Sequence, residues 1–138
     1  MKEYTFSDLQ IGLKEEFDFH ITNEQQKYFC LAGEDVNPLH TDESYAKKQG
    51  YAGRVVYGML QGAIYSQLVG VYLPGRYCLL QDIKLSFMDP VYIGETLHVI
   101  GEIVEKDERY RRVAIKAAMR NQKGKKVSRA LIHVGLMA

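Results

Sequence analysis

The chain has 138 residues, of which 46% are hydrophobic and 25% are charged. This length and apolar content suffice for one domain with a buried core, and they argue against a disordered chain. The 18 Lys and Arg residues balance 17 Asp and Glu residues to a formal net charge of +1, which argues against a dedicated nucleic-acid-binding protein.

Cysteine usage and hydropathy bear on the compartment. The two cysteines, Cys30 and Cys78, lie in apolar surroundings and are too few for a secreted disulfide scaffold, so free thiols in a reducing compartment are expected. The first residues lack a signal-peptide pattern, and no apolar run approaches the ~20 residues of a membrane span. We therefore expect a soluble cytoplasmic protein that binds neither nucleic acid nor membrane.

The first regular elements are predicted as a strand and a helix. Residues 14–21 alternate apolar and polar side chains, which is the period of a half-buried strand. Thr22 and Gln25 then form a capping-box pattern, which predicts a helix that ends at Gly33. The sequence thus indicates a strand that leads directly into a helix.

The segment after this helix carries the pattern D-x-N-P-x-H. Pro38 fixes its own φ and biases Asn37 towards an extended conformation, so no continuous helix connects Asp35 to His40, and a bend presents both side chains. Acid–base catalysis needs a carboxylate and an imidazole near one proton or water. The residues alone leave two interpretations equally open: a catalytic pair, or a turn in which Asp35 and Asn37 bind their own backbone.

Two further helices are predicted before the chain turns to strands. Asp42 can cap a short helix over residues 43–48, in which Tyr45 and Ala46 would face inward. Residues 55–71 are apolar on more than one face and almost uncharged, which is typical of a buried helix.

Gly58 lies in the first turn of that longer helix. Unpaired N–H groups at a helix start, together with the positive end of the helix dipole, can stabilise an oxyanion. A glycine there can equally serve close packing, an interpretation that Gly62 supports. Gln61 adds a polar group of unknown direction to the same turn.

The second half of the chain is predicted as strands alone. Segments 77–88, 96–105, 112–120 and 127–136 alternate apolar and polar residues and are separated by glycine, proline or charged turns. The connections after the first break are too short for crossover helices, so the strands form antiparallel hairpins. The predicted fold is one α+β domain over residues 1–138, with a sheet packed on a central helix.

Five short motifs occur in the order found in one known family. They are FxxxGEDVNPLHTD at 29–42, YA at 45–46, VYGML at 56–60, LPG at 73–75 and FMDPVYIGETL at 87–97. Together they resemble the MaoC-like dehydratases, which include the R-specific enoyl-CoA hydratases. The similarity covers most of the chain, and the hydratase loop at 33–42 is its most specific part.

The resemblance implies a hot-dog fold, in which a curved antiparallel sheet wraps around a long central helix, here 58–71. It implies a hydro-lyase that adds water to a trans-2-enoyl thioester or removes it from an (R)-3-hydroxyacyl thioester. Coenzyme A or phosphopantetheine would be part of the acyl thioester substrate, with no separate cofactor and no metal. A homodimer or higher homo-oligomer is also implied.

The family's catalytic roles carry over to five positions of this chain. Asp35 and His40 would form the catalytic dyad, and Asn37 and Pro38 would shape the loop that holds them. The backbone at Gly58 would polarise the thioester carbonyl.

The substrate pocket would include Tyr57, Met59 and Ala63. Many relatives carry histidine where Tyr57 stands and a small hydroxyl residue where Ala63 stands. These two departures affect the expected substrate more than the expected dyad.

Other candidate groups have simpler interpretations. His20, His98 and His133 lie in predicted strands without metal-ligand spacing, so they are expected to be structural or exposed. The basic residues of the C-terminal half fit a solvated sheet face better than a phosphate-binding surface. They are Arg109, Arg111, Arg112, Lys116, Arg120, Lys123, Lys125, Lys126 and Arg129.

Two alternatives to a hydro-lyase stay open on the same fold. One is a non-catalytic protein that binds acyl thioesters, although such a protein has no need for both Asp35 and His40. The other is a thioesterase, which the D-x-N-P-x-H pattern fits less well.

Overall fold

The computed structural model describes residues 1–138. Its main elements are β1 (Lys14–His20), α1 (Asn23–Gly33), α2 (Pro38–Thr41), α3 (Glu43–Lys48), α4 (Gly58–Gln67), β2 (Cys78–Phe87), β3 (Thr96–Asp107), β4 (Arg112–Arg120) and β5 (Lys126–Leu136). A 3-10 turn lies at Phe6–Asp8, and a π-helical turn at Leu68–Tyr72 continues α4. None of these helices combines the length and hydrophobicity that crossing a bilayer requires.

The five strands form one antiparallel sheet in the order β1-β3-β4-β5-β2. β1 and β2 are therefore its two edges. The inner face of the sheet and α4 share one hydrophobic core of 24 buried residues, to which α4 contributes Leu60 and Ile64 and the sheet contributes Val99, Ile115 and Ile132. The α+β prediction is confirmed, because burying both the sheet face and the helix requires packing one on the other.

The capping signals of the first half act as predicted. The Thr22 hydroxyl accepts the Gln25 N–H at 3.2 Å, and the Gln25 side chain accepts the Thr22 N–H at 2.8 Å. Asp42 caps α3 by accepting the Tyr45 N–H at 3.0 Å. The end of α1 differs slightly, since Glu34 and not Gly33 takes the left-handed conformation, with φ of 55°.

Three local predictions need correction. α4 begins at Gly58 and not at residue 55, because Val55 pairs with Tyr92 and the Val56 N–H donates to the Val91 carbonyl at 2.7 Å. α4 is not buried on all sides, since one face is exposed. That face carries Met59, Ala63 and Ser66. Tyr45 does not face inward, because only Ala46 of that pair is buried.

Candidate active site

The loop between α1 and α2 is held by the side chains of its own residues. The Asp35 carboxylate accepts the Asn37 N–H at 3.0 Å, and the Asn37 side chain accepts the Leu39 N–H at 2.9 Å. Pro38 occupies the first position of α2, where a missing N–H is harmless. His40 therefore lies in a short helical turn, and Asp35 lies in the bend before it.

The His40 ring is oriented by a backbone carbonyl. Its Nδ1 lies 2.7 Å from the Val55 carbonyl oxygen. A carbonyl can only accept, so Nδ1 carries the proton in this hydrogen bond. In the neutral ring Nε2 is then the nitrogen with a free lone pair, which is the atom that can act as a base.

A buried glutamine joins the three segments around His40. Gln26 is 2% exposed. Its Nε2 donates to the His40 carbonyl at 3.2 Å and to the Val55 carbonyl at 3.1 Å. Its Oε1 accepts the Tyr57 N–H at 3.3 Å. Gln26 thereby ties α1 to α2 and to the segment that enters α4.

Tyr57 links the two halves of the predicted dyad. Its ring stacks on His40 with centroids 4.1 Å apart, and its centroid lies 5.0 Å from that of the Phe29 ring. Its hydroxyl donates to the Asp35 backbone carbonyl. Burial raises the pKa of this hydroxyl, and the neighbouring Cys30 and Asp35 raise it further. Tyr57 is therefore a protonated donor at neutral pH that anchors the loop.

A cavity of about 270 Å³ brings His40 together with the start of α4. The loop before α4, the end of β2 and the loop that follows β2 complete its lining. The lining residues are His40, Tyr51, Val55, Val56, Gly58, Gln61, Phe87, Met88, Asp89, Pro90 and Val91.

The Gly58 N–H in this cavity has no acceptor within the chain, as is normal at the first position of a helix. A Cβ at this position would lie 2.9 Å from Cζ of Phe87, so a side chain here would have to displace the end of that ring. A free backbone donor and a histidine with a free Nε2 thus belong to one cavity.

Other predicted site residues lie outside this cavity. Asp35 is exposed, and no hydrogen bond or ion pair connects its carboxylate to His40. Met59 and Ala63 lie on the exposed face of α4. Tyr57 lines a neighbouring cavity of about 350 Å³ together with Gln26, Cys30 and His40, which borders both cavities. The assignment of these residues to catalysis or to the substrate pocket stays a prediction.

The remaining histidines lie on strands and contact side chains of neighbouring strands. His20 is 3.1 Å from the Thr96 hydroxyl. His98 is 2.8 Å from Asp18, and His133 is 2.6 Å from Asp82. A larger cavity of about 610 Å³ near the β3–β4 turn contains His133 but neither His40 nor Gly58.

Comparison with known proteins decides the family. A model described as MaoC like domain matches residues 8–125. The chain belongs to the MaoC-like family. This MaoC-like chain is 32% identical over 95 residues to the (R)-specific enoyl-CoA hydratase of Aeromonas caviae, a match that covers 69% of this chain and 71% of that protein. It is 30% identical over 100 residues to the 3-hydroxybutyryl-CoA dehydratase of Methylorubrum extorquens, covering 72% of this chain but only 64% of the dehydratase.

A solved structure supports the same family assignment. The unliganded R-hydratase PhaJ1 from Pseudomonas aeruginosa matches with a TM-score of 0.89 and 30% identity, covering 96% of this chain and 84% of that one. The hot-dog fold predicted from the sequence is confirmed.

Sequence reasoning missed Gln26 and left the direction of Gln61 open. A signal for Gln26 exists, because it precedes Phe29 by three residues and Cys30 by four, which places it on the apolar face of α1. A glutamine among apolar residues on one helix face must find buried partners, and here it finds the backbone around His40.

Proposed function

We propose that this MaoC-like protein is a hydro-lyase that adds water to a trans-2-enoyl thioester and, in reverse, dehydrates an (R)-3-hydroxyacyl thioester. The observation that carries the proposal is one cavity that holds both His40, with Nδ1 fixed on the Val55 carbonyl, and the free N–H of Gly58. The printed activities of the hydratase and dehydratase relatives support the same reaction.

The chemistry of hydration assigns a task to each group. Nε2 of His40 accepts a proton from water as the water oxygen bonds to C3. The electrons of the C2–C3 double bond shift onto the thioester oxygen, where the Gly58 N–H and the α4 dipole stabilise the enolate charge. As the thioester carbonyl re-forms, the enolate electrons form a C2–H bond with the proton that His40 took from the water. This step completes the net addition of H and OH and returns His40 to its neutral form. Dehydration retraces these steps.

Asp35 is proposed as the partner that orients the water and exchanges its proton. Tyr57 fixes the backbone of this residue through the Asp35 carbonyl, so the carboxylate is carried by an anchored loop. The carboxylate itself is exposed in the isolated chain. A second protein surface over the loop would exclude water from it and strengthen its interactions.

A homodimer is proposed as the source of that surface. β2 is an edge strand with one unpaired side, and large apolar side chains are exposed on it and beside it. They are Met59, Leu79, Leu80, Phe87 and Met88. Pairing of two β2 strands would extend the sheet and cover these side chains. Light scattering after size exclusion tests this, and a wild-type monomer at micromolar concentration would contradict it.

The carrier of the acyl group is proposed to enter as part of the substrate, either as coenzyme A or as phosphopantetheine. Lys84, Lys116 and Arg129 line a groove of about 310 Å³ on the sheet face away from α4, and none of them forms an ion pair within the chain. Cationic groups of this kind attract phosphates. A lower KM for crotonyl-CoA than for crotonyl-pantetheine at low salt would support a phosphate contact.

The decisive experiment is hydration of crotonyl-CoA and longer enoyl-CoAs, followed by loss of the enoyl absorbance. We expect turnover by the wild type, the (R)-3-hydroxyacyl product on a chiral column, and loss of turnover in His40→Ala and Asp35→Asn. Unaltered rates in both variants would overturn the dyad. Thiol release from a saturated acyl-CoA would indicate a thioesterase, and acyl-CoA binding without turnover would indicate a non-catalytic protein.

A further inference from the structure

Gln61 is a buried polar residue whose oxygen has no partner in the chain. The residue is 2% exposed. Its Oε1 is fully enclosed and accepts no hydrogen bond. It lines the same cavity as His40 and Gly58, and it follows Gly58 by three residues, so both lie on one side of α4.

The contrast with Gln26 shows that this state is unusual within the same molecule. Both glutamines are 2% exposed. Gln26 makes three hydrogen bonds to backbone groups, whereas the Gln61 oxygen makes none. A buried acceptor without a partner destabilises the folded chain. A residue of this kind is suited to a partner that enters the cavity from outside.

We propose that Oε1 of Gln61 accepts a hydrogen bond from the hydroxyl at C3 of the (R)-3-hydroxyacyl thioester, and from the water that adds there in hydration. This rests on the proposed function. In an unsubstituted acyl thioester, the carbonyl oxygen and the sulfur carry no proton, and the acyl carbons are not donors. The hydroxyl at C3 is therefore the only hydrogen-bond donor that the reaction adds to the acyl chain.

This role makes Gln61 a residue that recognises the reacting oxygen. It differs from the role of Gly58, which donates to the thioester oxygen. With Gly58 on the carbonyl and Gln61 on the C3 hydroxyl, the two ends of the reacting unit are both fixed along one side of α4. Such positioning favours the hydroxylated ligand over its saturated analogue.

The test compares two ligands that differ only in the C3 hydroxyl. Dissociation constants of (R)-3-hydroxybutyryl-CoA and butyryl-CoA are measured by calorimetry in a His40→Ala background, so that neither ligand is turned over. We expect the hydroxylated ligand to bind about three- to tenfold more tightly, as one neutral hydrogen bond provides. Gln61→Met should abolish this preference, so that the two ligands bind with equal dissociation constants. Gln67→Met, on the same helix but outside the cavity, should retain it.

Two further readouts guard against a merely structural effect. Gln61→Met removes an unpartnered buried oxygen, so its melting temperature should equal or exceed that of the wild type. Gln61→Leu likewise carries no acceptor oxygen and should also abolish the preference for the hydroxylated ligand, which provides a second variant if Gln61→Met does not fold.

The remaining outcomes overturn the proposal. If Gln61→Met weakens the binding of both ligands equally, the amide nitrogen of Gln61 occupies the position assigned to its oxygen and donates to the thioester oxygen. If Gln61→Met leaves the preference for the hydroxylated ligand unchanged, Gln61 binds a resident water and not the C3 hydroxyl. Absence of wild-type enoyl-CoA hydration would overturn the proposed function instead. Wild-type hydration, together with equal dissociation constants for the two ligands in the His40→Ala background, would overturn the role of Gln61 alone.

Discussion

Replacement of Gln26 by methionine should damage both stability and turnover. Methionine has nearly the same length and no hydrogen-bonding amide. The change removes the donor to the His40 and Val55 carbonyls and the acceptor of the Tyr57 N–H. The Val55 carbonyl keeps Nδ1 of His40 as a partner. The His40 carbonyl and the Tyr57 N–H lose the only partners that they have in the chain.

The expected loss of stability follows from those two orphaned groups. Each buried group left without a partner destabilises the fold by about 1–3 kcal/mol. We expect a total of about 3 kcal/mol for Gln26→Met, since methionine restores part of the packing. For a chain of this size that loss lowers the Tm by about 10 °C.

The expected loss of turnover follows from the position of His40. Gln26 fixes the backbone of α2 against the segment that holds Nδ1 of His40. A shift of a reacting group by about 1 Å can reduce the rate about 100-fold. We therefore expect kcat for crotonyl-CoA hydration to fall about 10- to 100-fold, with KM changed by less than about threefold.

The assay combines thermal unfolding by circular dichroism with initial hydration rates well below the Tm of the variant. Gln49→Met is the matched control, because Gln49 is exposed and its side chain makes no hydrogen bond within the chain. The control should keep both properties. A Gln26→Met variant with wild-type Tm and wild-type kcat would refute the argument that Gln26 positions His40.

Three other predictions concern the scaffold. Thr22→Ala should lower the free energy of unfolding by about 1 kcal/mol in urea titrations, because it removes the hydroxyl that caps α1. Thr22→Ser keeps a capping hydroxyl and should leave the free energy of unfolding unchanged. Asp18 raises the pKa of His98 above its ordinary value of 6.5. The ion pair therefore stabilises the fold fully when the pH is below this ordinary pKa, and the stabilisation is lost as the pH rises through the raised pKa of the folded state. This exposed pair contributes at most about 1 kcal/mol. The decline in Tm between about pH 6 and about pH 8 should be smaller in His98→Gln than in the wild type. Equal declines would contradict the assignment of this pH dependence to the Asp18–His98 pair. Burial raises the pKa of the Cys78 thiol to about 11, so mass spectrometry should find Cys78 alkylated by iodoacetamide at about pH 8 only after unfolding.

Much of the fold is readable from local patterns. β4 occupies the predicted segment without change, and the Thr22 capping box forms as expected. These elements are determined by alternation and by short-range side-chain contacts, which the sequence displays directly. The start of α4 was misplaced because Val55 and Val56 bind a distant segment, and a helical pattern of apolar residues does not reveal such a long-range contact.

The candidate site is less readable for a similar reason. The D-x-N-P-x-H pattern identifies Asp35 and His40, but the partner of Nδ1 is the carbonyl of Val55, which lies 15 residues further along the chain. Backbone carbonyls leave no signal in a sequence, so the tautomer of His40 can be inferred only from the structure. The turn interpretation of the loop is confirmed, since the Asp35 carboxylate accepts the Asn37 N–H of its own turn. The catalytic interpretation of the same loop stays a prediction.

The role of Tyr57 changes the question of substrate choice. The sequence places it in the substrate pocket, at a position where many relatives carry histidine. In the structure its ring packs against Phe29 and His40, and its hydroxyl donates to the Asp35 carbonyl. A hydroxyl that is committed to the loop is not free to select an acyl group. The unpartnered polar group in the cavity is Gln61, so differences in substrate between this chain and its relatives should depend on position 61 more than on position 57.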